Sequence, residues 1–516
     1  MKYISSIRNY ALALLLAANS SCSGFLEEYS QDLAKVESWQ DLDEVLLGGC
    51  YMQSSRLAIM NSYNEAVYGD HLDILHFMSD EVKESTANSN DHLRYQTGMF
   101  AFHTWQQDTG MDEKFKYVGG DEKYWNMLYE KINVANMVVA LIDEQPEANP
   151  EDRYGKERVK GEAHFLRAAY YFLLVNLYGQ PYNPATAATV PGVPVKLTEF
   201  VEDVVFERNS VQEVYQQILL DLETAEASLS GKDRISVYHA DLTATHLLQS
   251  RVHLYMQNWK KAAEYAGKVL KEQNDLLSLA TKSPGEDCIY RDSPETIFSM
   301  GGYLICTEFA DDRYGEPAFY LSDNMTDLFN RNDMRSGLYT GETEHRGYPN
   351  VFMKVNGQSS QWDRTYEVSS CFLLRTPEAY LTLAEASAYI GDEETARRTL
   401  DRFLPTRMRN HETVTLNGNQ LIDLIRNERA REFILEGHRW FDLRRYTVCA
   451  EYPWSTTIEH EHVYYADYAP DYNDWYRLEK NDDAYTLPIP REIRNFQVSL
   501  GNNERPVRKA YYTETY

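Results

Sequence analysis

Apolar positions recur every three or four residues through the middle of the chain, the spacing of one buried helix face. Leu128, Ile132, Ala135, Val139 and Ile142 predict a helix over Tyr124–Ile142. Arg158–Tyr178 repeats the pattern and stops at Gly179, a residue type suited to the position just past a helix end. Ser210 with Glu213 forms a capping box, and Val214, Ile218, Leu222, Ala225 and Leu229 extend it as one stripe. Ser38 with Asp41 marks an earlier start, with Trp39 at its head.

The segment Ala240–Leu270 is the clearest repeat. Ala244, Leu247, Leu248, Arg251, Tyr255, Asn258, Trp259, Ala262, Ala263 and Ala266 resemble a tetratricopeptide unit, two antiparallel helices with small residues where they cross. A second pair runs from Pro377 through Tyr380, Leu383, Ala384, Ala386, Gly391 and Ala396 to Leu400. Elsewhere the periodicity gives way to Gly, Pro, Asp, Asn and Tyr, with short candidate strands such as Thr296–Met300. Long irregular stretches in a compact domain are usually functional or disordered. The aromatic content favours ordered loops packed on the helices. The expected fold class is mainly α: a helical-repeat scaffold over about 121–271 and 376–446, with a loop-rich ligand lobe of few short strands over about 272–375 and 447–516.

At the start of the chain, Lys2 and Arg8 precede a nine-residue apolar run, Tyr10–Ala18. A membrane span needs ~20 residues, so the run reads as a signal peptide over 1–21. Asn19, Ser20 and Ser21 lead into Cys22, which resembles a bacterial lipobox. That predicts cleavage before Cys22, lipidation of its sulfur and tethering of the rest to a membrane. The plainer alternative is a secreted protein with a cysteine near its cleavage site.

The net charge of −28 argues against nucleic acid, which wants a basic footprint, and against adsorption to anionic lipid. Cys50, Cys288, Cys306, Cys371 and Cys449 are scattered without CxxC spacing, so neither a zinc knuckle nor a disulfide scaffold is expected. Nucleophile-elbow, phosphate-loop, dinucleotide and zinc-protease signatures are missing. Glu459-His460-Glu461-His462 could ligate a metal on paper, yet neighbours in a strand face opposite ways, and a solvated loop is the expected setting. No catalytic residue, metal or cofactor is expected. The dense charges of Arg426–Arg444, set among Phe433, Trp440 and Leu443, predict structural ion pairs at a seam.

Four stretches together resemble the SusD/RagB family of surface lipoproteins. They are Lys160-Gly161-Glu162-Ala163-His164-Phe165-Leu166-Arg167 running on to Tyr178-Gly179-Gln180-Pro181, Arg208-Asn209-Ser210-Val211 through Asp221-Leu222, Glu428-Arg429 through Glu436-Gly437-His438-Arg439 to Asp442-Leu443-Arg444, and Leu487-Pro488-Ile489-Pro490. The resemblance implies tetratricopeptide-like helix pairs in a right-handed scaffold bearing an irregular lobe. It implies a glycan-binding lid over a SusC-like TonB-dependent transporter, without catalysis, anchored through Cys22 on the outer face of the outer membrane. Alternatives are an oligopeptide-capturing lid and a helical-repeat adaptor with no ligand of its own.

Sugar rings stack on flat aromatics with polar side chains nearby. Trp125, Trp259 and Trp440 fall on helical stripes and read as core. Trp105 with Gln107 and Asp108, Tyr303 after Gly301-Gly302, and Trp362 with Arg364 sit in non-periodic segments and are the candidate ligand contacts.

Overall fold

The computed structural model describes residues 36–52, 72, 74–86, 90–200, 204–300, 317–342, 350–354, 368, 372–466 and 469–516. In chain order its main helices are α1 (Trp39–Val45), α2 (Asn90–His103), α3 (Lys123–Ile142), α4 (Pro150–Tyr178), α5 (Val211–Leu229), α6 (Leu242–Tyr255), α7 (Trp259–Glu272), α8 (Thr376–Tyr389), α9 (Glu393–Phe403), α10 (Gly418–Glu432) and α11 (Arg439–Thr447). The chain is mainly α, as expected.

Helix starts follow local chemistry. Ser38 and Ser210 accept from the backbone N–H groups of Asp41 and Glu213, whose carboxylates bond back, so both capping boxes form. α4 begins at Pro150, earlier than the periodicity predicts. Asn149 caps it by accepting from the N–H groups of Glu151 and Asp152 at 2.8 and 3.0 Å, and Pro150 suits the first turn. That polar opening turn carries no apolar stripe to read. Its far end also differs: Gly179 has φ −102°, an ordinary value for any residue, and is glycine because a Cβ would lie 2.7 Å from the Val175 carbonyl oxygen.

α6 with α7 and α8 with α9 form the two antiparallel pairs. Ala244, Ala262, Ala266, Ala384, Ala386 and Ala396 are fully buried where these helices approach one another. Gly391, at φ +82°, makes the turn of the second pair. α4 packs against both α3 and α5. Arg167 of α4 donates to both oxygens of Asp221 in α5, at 3.0 and 2.5 Å, and to Asn136 in α3 at 2.9 Å. Gly161 lets α5 close in, since a Cβ there would sit 2.6 Å from Leu229 Cγ.

Buried ion pairs join the helices to the irregular lobe. Glu432 of α10 accepts from Arg335 at 3.2 Å, from Arg375 at 2.5 Å and twice from Arg407 at 2.9 Å. Around it, Arg335, Arg375, Arg407, Arg431 and Lys354 meet Asp333, Glu295, Glu428, Glu432 and Glu436, five charges of each sign. Burial alone would raise the Glu432 carboxyl, but Arg407 and Arg375 hold it well below the usual carboxylate range. A second cluster ties α8, α10 and α11: Arg445 donates to Glu385 at 2.6 and 2.8 Å and to Asp442 at 2.7 Å, and Arg429 donates to Asp442 at 3.0 Å. The Arg426–Arg444 segment is thus the ion-pair seam its sequence predicts.

The strands are β1 (Val82–Glu84), β2 (Thr296–Ser299), β3 (Phe319–Leu321), β4 (Thr340–Gly341), β5 (Val351–Phe352), β6 (Leu373–Arg375), β7 (Ile458–Ala466), β8 (Ala469–Leu478) and β9 (Tyr512–Thr515). β1–β3, β2–β6 and β4–β5 pair antiparallel, and β7, β8 and β9 make a three-stranded antiparallel sheet. This sheet lies where loops are expected. Glu459–His462 is accordingly strand rather than solvated loop: alternation along β7 buries His460 and His462 and turns Glu459 outward. His460 is sandwiched between Trp105 at 4.3 Å and His103 at 4.0 Å, both stacked. Burial lowers His460 to about 4, and burial with His460 beside it lowers His103 to about 3, so the column is neutral. For His462 burial opposes the charge, but Glu84 at 2.8 Å and Glu113 at 3.6 Å raise it to about 9.

Three measurements check these inferences. Gly161→Ala should cost about 1–3 kcal/mol in urea unfolding through the clash with Leu229; unchanged stability would mean the helices part freely. Glu432→Gln should cost about 3–5 kcal/mol or prevent folding, because it strands three buried guanidiniums. The folded pKa of His462 lies above its ordinary 6.5, so its stabilisation is complete below pH 6.5 and lost as pH rises through about 9. Thermal melts should decline across that window, and His462→Gln should flatten the decline.

Candidate ligand-binding groove

Cross-strand alternation builds an outward-facing row on the three-stranded sheet. Glu461 of β7 stands directly opposite Trp475 of β8, and Trp475 opposite Tyr512 of β9, so the three share one face. One step along, Glu459 pairs with Arg477, whose Nε and Nη2 donate to Glu459 at 2.8 and 2.5 Å. Arg477 also lies over the Tyr511 ring at 4.1 Å. Trp475 is half-buried and its indole N–H has no hydrogen-bond partner, while Tyr512 is 53% exposed.

This face is the floor of a groove of ≈ 590 Å³, within the size range of small-molecule sites. Its wall is Asp80–Lys83 with Ser322–Asn324, held together by the β1–β3 ladder. Ser322 donates to the Asp80 carbonyl at 2.5 Å, and Lys83 donates to both oxygens of Asp323 at 2.8 and 2.9 Å. Arg439 of α11 grips the Asp80 carboxylate with two bonds of 2.7 Å, tying the wall to the helical scaffold. Beneath the floor stands the stacked column of Trp105, His460 and His103. Glu461 accepts from Asn473 at 2.8 Å, and burial raises its carboxyl above the ordinary range. The groove therefore offers an indole beside carboxylates, an amine, a guanidinium and a side-chain amide.

The structure corrects the expectation for Trp105. Its ring is fully buried, stacked on His460, and its N–H donates to the Met78 carbonyl at 2.9 Å. With φ at +51° it closes the turn after α2 and supports the groove from below, presenting no face to a ligand. Gln107 is half-buried, and Asp108 is buried, accepting from Arg491 at 2.9 Å and from the Gly110 N–H at 3.3 Å. Tyr303, Trp362 and Arg364 lie outside the described residues, as does Cys22. Sequence reasoning missed Trp475 and Arg477, and read Glu459 only as a metal ligand on paper. The signal was the alternating run from Tyr472 to Leu478, whose strand period was hidden by polar residues on both faces.

Asp43, Glu162 and His239 stand close enough to hold a metal ion. Arg158 already supplies a cation there, donating to Asp43 and to Glu162 at 2.5 Å each. The trio pins α1 to α4.

Two family models match the chain. One, described as starch-binding and associating with the outer membrane, covers residues 28–254, and the SusD family model covers 306–504. A SusD-like protein P38 of Formosa agariphila is 25% identical over 403 residues, 63% of this chain and 72% of that protein. A SusD-like protein of Bacteroides ovatus is 22% identical over 373 residues, 62% of this chain and 64% of its own length. Among solved structures, a SusD superfamily protein from Bacteroides thetaiotaomicron superposes with a TM-score of 0.66 at 20% identity, covering 91% of this chain and all of that one. A SusD-like carbohydrate binding protein from Bacteroides vulgatus gives 0.66 at 18% identity, covering 91% and 99%. The motifs read from sequence, the paired helices and these matches agree: the chain belongs to the SusD/RagB family.

Proposed function

We propose that this protein captures an oligosaccharide at the cell surface and delivers it, as a lid, to a SusC-like TonB-dependent transporter for import. The observation that carries the reading is the groove face, where the Trp475 indole stands among Glu459, Glu461, Lys83 and Arg477. A flat apolar ring beside several hydrogen-bonding groups is what a pyranose needs: a surface for its C–H face and partners for its hydroxyls. The descriptions of the matching family and of the Bacteroides vulgatus structure support a saccharide over a peptide. In this reading the protein binds and does not turn over its ligand, and Tyr303, Trp362 and Arg364 stay candidate ligand contacts on their sequence alone.

Lipidation of Cys22 would anchor the protein to the outer membrane, on its outer face, with the segment from Ser23 to about Val36 as a leash. The lipobox-like start and the family's outer-membrane association support this.

Affinity electrophoresis against a polysaccharide panel should show retardation by at least one polymer. Trp475→Ala should weaken that binding about tenfold, ~1.4 kcal/mol, without lowering Tm. Retention of an oligopeptide pool with no polysaccharide bound would overturn the reading. In cells, Cys22→Ala should release the protein from the membrane fraction while leaving saccharide binding intact; continued retention would count against the lipid anchor.

A further inference from the structure

A second cavity lies away from the groove. It measures ≈ 340 Å³ and is lined by Leu279, Lys282, Met334, Leu338 and Arg409, with Ala280, Pro284, Ser336 and Gly337 completing the wall. Leu279, Met334 and Leu338 are buried and supply an apolar floor. Two cations and no carboxylate are among these lining residues, on a chain of 79 acidic and 51 basic side chains. Neither cation is neutralised by an ion pair among the described residues. Lys282 rests over the Tyr290 ring at 4.5 Å, which orients the ammonium and leaves its charge uncancelled. Arg409 is exposed at the rim, its backbone N–H fixed to the Asn332 carbonyl at 2.8 Å.

The walls are rigid because each is stitched to the buried ion network. Arg407 donates to the Leu277 carbonyl at 2.8 Å, and the Leu277 N–H donates to Glu295 at 2.9 Å, which fixes the segment leading to Leu279. The Met334 N–H donates to the Arg407 carbonyl at 2.9 Å, and the Leu338 N–H to the Arg335 carbonyl at 3.0 Å. Gly337, at φ +104°, has open space where a Cβ would stand, so a ligand can approach its backbone.

We propose that this cavity binds a negatively charged sugar unit, its carboxylate or sulfate held by Lys282 and Arg409 and its ring against Leu279, Met334 and Leu338. The protein would then select acidic over neutral glycans. This rests on the saccharide reading above and narrows it to a substrate class. An anionic group gains from two unpaired cations in a partly desolvated pocket, whereas a neutral sugar gains nothing from their charge.

The test uses calorimetry on the mature protein with matched oligosaccharides: galactan against galacturonan and against sulfated galactan, and xylan with and without glucuronosyl branches. In at least one pair the acidic form should bind ten or more times tighter, and that preference should shrink between 50 and 200 mM salt. The double variant Lys282→Gln/Arg409→Gln should abolish the preference while Tm and neutral-sugar affinity stay unchanged. Which acidic member wins separates carboxylate from sulfate. Binding without preference for the acidic form, or a preference that survives the double variant, overturns this inference and leaves the saccharide reading standing. Binding of neither member of any pair also overturns this inference, and the polysaccharide panel described above then decides the saccharide reading by itself.

Discussion

Glu432 accepts from three buried guanidiniums, and the architecture on both sides of it depends on all three being held. Arg375 sits where β6 passes into α8, Arg407 follows α9, and Arg335 belongs to the turn before β4. A single carboxylate on α10 thus fixes where two segments of the irregular lobe, at Arg335 and Arg375, meet the turn that follows α9. Such a cluster is not a cheap source of stability, because each ion loses its hydration on burial. Its consequence is positional. With five charges of each sign interlocked, a segment cannot slide by a residue without leaving an ion unmatched. We therefore read the network as what holds loop-like chain in one arrangement.

Both candidate sites inherit that arrangement. The wall of the groove is gripped by Arg439 on Asp80, and Glu81 nearby accepts from the Leu435 N–H at 2.8 Å, just past α10. The floor rests on a neutral, fully buried stack of one indole and two imidazoles, which carries no charge that pH could switch near neutrality. The second cavity is bounded by residues immediately beside Arg335 and Arg407. A binder whose contacts stand on preorganised chain loses less entropy when ligand arrives. That suits the capture role proposed above.

Much of the fold was legible because its signals are local. Capping boxes at Ser38 and Ser210, and alanines at the crossings of α6–α7 and α8–α9, act over one or two turns and leave a period of 3.6 in the sequence. The charged stretches of the family motifs were also readable as structure, and Arg167, Asp221, Glu432 and Asp442 are all committed to partners inside the protein. The candidate site was less legible. Trp105 has the loop setting and polar neighbours of a ligand platform, yet a positive φ folds its ring inward onto His460, a contact between residues far apart in sequence. β7 and β8 carry polar residues on both faces because the buried face includes histidines and tyrosines beside Ile458 and Leu478. Alternation of apolar with polar positions, the usual mark of a strand, was therefore blurred.

In the proposed reading, saccharide is held on the β7–β8 face beside the Ser322 wall. Hydrogen–deuterium exchange on the mature protein, with and without a saturating oligosaccharide, tests it most directly. Exchange should slow in peptides covering 457–461, 474–479 and 320–324, with α3 to α5 unchanged. Saccharide that binds while those peptides exchange as before, and that protects only the helical scaffold, would contradict it.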